Sequence, residues 1–187
     1  MKYILIVLII LISPFQFGSS VKTNSCVPDY IDVCKILDNI SKNIEYIKLH
    51  LKEITASEQE ECLFKLIDSL NNIFITRNNI QCLIALDSLN SKSDGFLSEY
   101  FDEIFKQSFY YNFQQLMLYL YSNDESSIKQ SLIWALSLEI SMASDKSLKK
   151  NEIIEYAKSQ IIKTNFSKTE IEFINQIINK MDSTLMD

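Results

Sequence analysis

Apolar residues recur at steps of three and four along residues 29–54, the spacing that places them on one face of an α-helix. The eight positions are Tyr30, Val33, Leu37, Ile40, Ile44, Ile47, Leu51 and Ile54. Because a stripe of this kind buries itself against other elements, the pattern predicts one amphipathic helix from Asp29 to Ile54.

A second helix is predicted to begin at a capping box, Ser57-Glu58-Gln59-Glu60, and to run to about Arg77. The polar triplet Arg77-Asn78-Asn79 allows two interpretations. Asparagine weakens a helix without stopping it, so residues 57–90 are compatible either with one long helix or with two shorter ones. The sequence leaves both open.

The most apolar helix is predicted between Phe96 and Tyr121, which hold ten aromatic residues. A helix that is apolar on nearly every side is usually central in a fold. The same rings suggest a possible pocket for a fatty acid, a sterol or a similar ligand, with a well-filled core as the alternative. The candidate pocket residues are Tyr100, Phe101, Phe105, Phe109 and Phe113.

Three further helices are predicted toward the C-terminus, at 128–143 around Trp134, at 148–162 and at 171–181. The last follows a second capping box, Ser167-Lys168-Thr169-Glu170. After residue 20 the chain contains only Gly95 and Pro28 as strong breakers, too few for the turns of a sheet protein. We therefore expect an all-α fold, an antiparallel bundle of about five to seven helices forming one domain over residues 21–187.

The first twenty residues have the organisation of a signal peptide. Lys2 gives a positive start, Tyr3 to Ile12 form an apolar run, and Gly18 and Ser20 are small residues suited to cleavage after Ser20. Ten apolar residues are fewer than the roughly 20 needed to cross a bilayer, so no stable membrane anchor is expected. The sequence predicts a secreted, extracellular protein.

Export implies that the four cysteines, Cys26, Cys34, Cys62 and Cys82, form two disulfides that staple the N-terminal half. If the first two helices fold back antiparallel, Cys34 lies opposite residues near 77, and a Cys34–Cys62 bond is disfavoured. Two pairings stay open: Cys26–Cys34 with Cys62–Cys82 if the chain turns between residues 62 and 82, or Cys34–Cys82 with Cys26–Cys62.

Two Asn-x-Ser triplets, at Asn39 and Asn165, are predicted glycosylation acceptors. Asn165 lies in a polar break between helices. Asn39 lies within the predicted first helix, opposite its apolar stripe.

Charge and motif content exclude several functions. The formal net charge is −6, and no Lys/Arg cluster offsets it, so nucleic-acid binding is not expected. His50 is the only histidine, no Cys-x-x-Cys pair occurs, and no catalytic motif is present. Carboxylate groups at 58–61 and at 99–103 are interpreted as a helix start and a helix flank. No cofactor, no metal and no enzymatic activity are expected.

The remaining hypothesis is recognition. We expect a secreted helical protein that binds a macromolecular partner, in the manner of a cytokine, an inhibitor or an effector. The alternative is an extracellular carrier of a small hydrophobic ligand in a cavity near residues 96–121. The partner and the ligand are not identified by the sequence.

Overall fold

The fold is all-α, as predicted: a computed structural model describes residues 32–37 and 39–181, and this part of the chain contains ten helices and no strand. The helices are α1 (Val33–Leu37), α2 (Ile40–Leu49), α3 (Leu51–Thr55), α4 (Glu60–Arg77), α5 (Ile80–Asn90), α6 (Gly95–Tyr111), α7 (Phe113–Ser122), α8 (Ser127–Ser141), α9 (Lys146–Lys163) and α10 (Lys168–Asn179). None of these helices is both long enough and apolar enough to span a membrane.

The predicted first helix is divided into α1, α2 and α3. Its stripe still faces the core, because Val33, Ile40, Ile44, Ile47 and Ile54 are all buried. Tyr30, the first position of the stripe, lies outside the described residues. Polar groups accommodate the breaks between these helices.

At the end of α1, the side-chain amide of Asn43 donates a hydrogen bond to the carbonyl of Ile36. The carbonyls in the last turn of a helix have no partner within the helix, so this bond satisfies one of them. Asn39 then precedes α2 as its N-terminal flanking residue.

His50 occupies the second break, between α2 and α3, with backbone angles outside the helical range. Its ring contacts that of Tyr46, with ring centroids 4.3 Å apart. The only histidine is thus a half-buried packing residue.

The predicted cysteine pairing is wrong: Cys34 and Cys62, the pair that the sequence disfavoured, form a disulfide with Cα atoms 5.1 Å apart. The prediction treated residues 29–54 as one rod. Because this segment breaks after Leu37 and again at His50, α1 returns to the start of α4, where the side chain of Gln59 accepts a hydrogen bond from the backbone N–H of Val33. Both pairings that the sequence had left open are excluded by this bond.

The two remaining cysteines are Cys82 and Cys26. Cys82 is a buried free thiol on α5, and burial raises its pKa. Cys26 lies outside the described residues. A staple in the N-terminal half is confirmed in the form of the single Cys34–Cys62 bond.

Residues 57–90 contain two helices, α4 and α5, and not the single long helix that the sequence also allowed. Asn78 has a left-handed backbone conformation (φ 52°, ψ 33°) that ends α4, and the side chain of Asn79 accepts a hydrogen bond from the N–H of Gln81 to begin α5. Asparagine tolerates the left-handed conformation better than most residues. The chain therefore reverses there, and α4 packs against α5.

The two predicted capping boxes have different outcomes. At the second, Ser167 and Glu170 bond each other's backbone N–H groups as predicted. At the first, α4 begins at Glu60 instead of following Ser57, and the Ser57 hydroxyl accepts from the N–H of Gln59. The side chain of Gln59 is engaged by α1, so the start of α4 is fixed by a tertiary contact.

The aromatic segment is central, as predicted, and is divided by Asn112 into α6 and α7. The Asn112 amide is buried and donates a hydrogen bond to the carbonyl of Phe74 in α4. A second buried polar contact joins these elements, in which the Ser108 hydroxyl donates to the Asn71 side chain at 2.8 Å. The helix that packs most extensively against α6 is α8, and the surface between these two carries the candidate site.

Candidate functional site: a groove between α6 and α8

An open groove of about 550 Å³ runs between α6 and α8. From α6 it is lined by Glu99, Asp102, Glu103 and Lys106, from α8 by Trp134, Ala135, Leu138 and Glu139, and at its end by Met142. A second depression of about 390 Å³, toward Gly95, shares Glu99, Asp102 and Trp134 with it. We call the two together the α6–α8 groove.

Two large apolar side chains are exposed in this groove. Trp134 is 44% exposed, and Met142 is 71% exposed. Tryptophan is the residue most enriched among those that dominate binding energy at protein interfaces, and methionine adapts its shape to different partners. The groove therefore offers an apolar anchor point beside its charged side chains.

The charge of the lining is acidic, with four carboxylates and one ammonium group. Lys106 forms an ion pair of 2.5 Å with Glu103, and Lys149 on α9 lies 3.7 Å from Glu139. No lysine or arginine of the described residues forms an ion pair with Glu99 or Asp102. These two carboxylates give the groove an excess of negative charge.

Asp102 has the most perturbed acidity in the groove. Burial raises its pKa to about 6; a hydrogen bond from Ser131 opposes the increase, and the charge of Glu99 adds to it. Ser131 itself is held in place by Asn90, whose amide donates to the Ser131 hydroxyl at 3.2 Å. The carboxyl of Asp102 is therefore ionised at neutral pH but becomes protonated under mildly acidic conditions.

These groups together can bind a cation that also has an apolar or planar surface. An indole face attracts cations, and nearby carboxylates accept their hydrogen bonds. Across the described residues no group of three or more His, Cys, Asp or Glu side chains is placed to hold a metal ion. Recognition of an organic cation is thus the chemistry that this surface supports best.

The predicted aromatic pocket residues lie elsewhere. Phe101, Phe105 and Phe109 are fully buried, and Phe113 nearly so, while Tyr100 is half-buried and donates a 2.6 Å hydrogen bond to Asp68. Phe101 stacks on Phe105, and Phe109 contacts Phe113 edge to face. None of the five lines the α6–α8 groove, and a ligand among them stays a prediction.

Both predicted glycosylation acceptors have exposed side chains. Asn39 lies in the turn before α2, and Asn165 lies in the turn between α9 and α10. Carbohydrate attachment at either position stays a prediction.

Trp134 was predicted to lie in the helix at 128–143, but the exposure of its side chain was not predicted. A signal was present in the spacing of α8. Its buried positions include Ile128, Leu132, Ala135 and Ile140, at helical steps that leave residue 134 off the buried stripe. A tryptophan on the outer side of such a helix is an exposed anchor.

Comparisons of this chain with protein-family models, with curated proteins and with solved structures give no match.

Proposed function

We propose that this protein is exported and acts by binding a macromolecular partner through the α6–α8 groove. The observation that carries the proposal is the exposure of Trp134 and Met142 in one acidic groove. A single exposed apolar residue is ordinary on a protein surface, whereas neighbouring ones rimmed by polar groups are typical of an interaction site. The Cys34–Cys62 disulfide supports export, because such bonds persist mainly in oxidising compartments.

The packing of the aromatic segment favours partner binding over the carrier alternative. The rings of Phe101, Phe105 and Phe109 are fully buried, with neighbouring rings as contacts. A carrier needs an enclosed space for its ligand, while the α6–α8 groove is open to solvent at its surface.

Site-specific photo-crosslinking tests the proposal. A photo-reactive phenylalanine analogue replaces Trp134 in one variant and Leu49 in the control, since Leu49 is also an exposed apolar residue, 77% exposed, and lies on α2. We expect the protein with the analogue at position 134 to crosslink one partner in its own extracellular fluid, and an excess of the unlabelled wild-type protein to compete. The purified partner should then bind the wild type but not a Trp134→Glu variant. Equal crosslinking from both positions would contradict the proposal.

A further inference from the structure

We infer, on the basis of the proposed function, that the occupant of the α6–α8 groove is an arginine-bearing segment of a partner protein, its guanidinium stacked on Trp134 and bonded to Glu99 and Asp102.

The charges of the groove suit a cationic ligand. Two of the four carboxylates already have an ammonium partner, Glu103 through Lys106 and Glu139 through Lys149. Glu99 and Asp102 remain for a ligand, and both line the two parts of the groove together with Trp134. A cation placed there replaces a repulsion between two carboxylates with two attractions.

The shape of the available groups favours arginine over lysine. A guanidinium is planar, so that one face can stack on an indole while its edge donates parallel hydrogen bonds to carboxylates. A lysine ammonium is a compact, strongly hydrated charge and gains less from an aromatic face. Trp134 and the two carboxylates supply both kinds of contact within one groove.

The size of the groove favours a segment of protein over a single small ion. A volume of about 550 Å³, continued by another of about 390 Å³, accommodates several side chains in a row. Met142 and Leu138 at the far end offer an apolar contact beyond the carboxylates. We therefore expect an apolar side chain of the partner a few positions from its arginine.

Three short synthetic peptides of one design serve as probes. The first peptide contains arginine and leucine residues separated by alanines. In the second peptide, lysine replaces each arginine. In the third, citrulline replaces each arginine, which keeps the planar shape of the side chain without its charge. Binding is measured by calorimetry and by fluorescence of Trp134, the only tryptophan of the chain, at physiological ionic strength. We expect the arginine peptide to bind about tenfold more tightly than the lysine peptide, and the citrulline peptide not to bind.

Matched variants separate recognition from general attraction to an acidic protein. Trp134→Ala should weaken binding of the arginine peptide about tenfold, whereas Leu49→Ala should leave it unchanged. The pair Glu99→Gln with Asp102→Asn should weaken it, whereas Glu58→Gln with Glu60→Gln, which removes the same charge at the start of α4, should not. Equal affinity for the arginine and lysine peptides, or equal losses in the matched pairs, would overturn the inference.

Two further outcomes distinguish this inference from the proposed function. If a partner crosslinks specifically at position 134 but the crosslinked segment has no arginine and the peptides do not bind, the inference fails and the proposed function stands. If the protein dimerises in sedimentation experiments and Trp134→Ala abolishes the dimer, a second copy of this chain occupies the groove, which also overturns the inference. Absence of both crosslinks and peptide binding contradicts the two together.

Discussion

Asn90 on α5 donates a hydrogen bond of 3.2 Å from its side-chain amide to the hydroxyl of Ser131 on α8. The Ser131 hydroxyl also interacts with the half-buried carboxyl of Asp102 and opposes the rise in its pKa. The residue whose acidity is most perturbed in the groove is thus coupled to polar side chains of two other helices. Its protonation therefore links the groove to the stability of the fold.

The first prediction concerns pH and Asp102. Because the pKa of Asp102 is raised to about 6 in the folded protein, the folded state holds its proton more tightly than the unfolded chain. As pH rises from 4 to 7, the wild type should therefore lose stability relative to Asp102→Asn. Urea unfolding of both proteins across this range measures the difference.

In the same range the affinity of the arginine peptide for the wild type should rise, since Asp102 becomes ionised. The other charged groups of the groove are Glu99, Glu103 and Lys106 on α6 and Glu139 on α8. The raised pKa of Asp102 would be contradicted if the wild type and Asp102→Asn differed in unfolding free energy by the same amount at every pH between 4 and 7.

The second prediction concerns the Cys34–Cys62 disulfide. Replacing both cysteines with alanine should lower the free energy of unfolding by about 3–4 kcal/mol, because the bond closes a loop with a sequence separation of 28 residues. Cys34 is exposed and Cys62 is half-buried, so little packing is lost with the side chains. Denaturant unfolding by circular dichroism measures the effect.

Thiol labelling provides the control for this assignment. In the folded protein the thiol of Cys82 should resist an aqueous thiol reagent, because its side chain is fully buried and its pKa is raised. It should react once the chain is unfolded in denaturant without reductant, whereas Cys34 and Cys62 should react only after reduction. Labelling of Cys62 before reduction would disprove the bond.

The third prediction concerns the reversal at Asn78, which is exposed and left-handed. Asn78→Gly should stabilise the protein by a few tenths of a kcal/mol, and Asn78→Ala should destabilise it by about 1 kcal/mol, because only glycine adopts this conformation without a steric penalty. Thermal unfolding of the wild type and the two variants measures the order of their stabilities. If alanine proved as stable as glycine at this position, the break between α4 and α5 would have to lie elsewhere.

The fourth prediction concerns three tyrosines bonded to carboxylates: Tyr100 to Asp68, Tyr110 to Glu139 and Tyr119 to Asp87. Burial raises the pKa of each hydroxyl, and the adjacent carboxylate adds to the increase. As pH passes about 10, the unfolded chain loses these protons before the folded one does, so the folded protein should lose stability. Ultraviolet titration should show the last part of the tyrosinate absorbance, which comes from these three residues, rising together with loss of the helical circular-dichroism signal.

A single substitution sharpens this test. Tyr119→Phe removes one of the three hydroxyls, so its stability should fall less steeply above pH 10 than that of the wild type. Complete tyrosinate formation in a protein whose helical signal is intact would contradict the raised pKa values.

Much of the fold was predictable, because the positions of burial follow from helical spacing. Ile44, Ile47 and Ile54 are buried as their spacing requires, and the capping box at Ser167 forms as its sequence indicates. The helix breaks were not predictable, since they occur at residues such as His50 and Asn112, which permit a helix as well as a turn. At such residues a tertiary contact determines whether the helix ends, as does the hydrogen bond from the Asn112 amide to the carbonyl of Phe74.

The disulfide was mispredicted for the same reason. A continuous first helix carries Cys34 away from Cys62, and only the breaks after Leu37 and at His50 allow the two to meet. The engagement of Gln59 by Val33 is likewise a contact between residues 26 positions apart, which no local pattern contains.

The candidate site was only partly visible in the sequence. The carboxylates of Glu99, Asp102 and Glu103 were predicted to lie on the flank of a helix, and they do lie along one side of α6. Their significance depends on Trp134, which comes from another helix and faces the same groove. The packing of α6 against α8 is a tertiary contact. The sequence of either helix alone therefore could not predict that the indole and the carboxylates lie in one groove.

A partner that binds in the α6–α8 groove covers Trp134, and quenching of the indole fluorescence by acrylamide measures this coverage. The chain has one tryptophan, and its side chain is 44% exposed, so its signal reports on the groove alone. Once the crosslinked partner has been purified, adding it should reduce the quenching of Trp134. Quenching that is unchanged when the partner is bound would show that binding occurs elsewhere and would contradict the account.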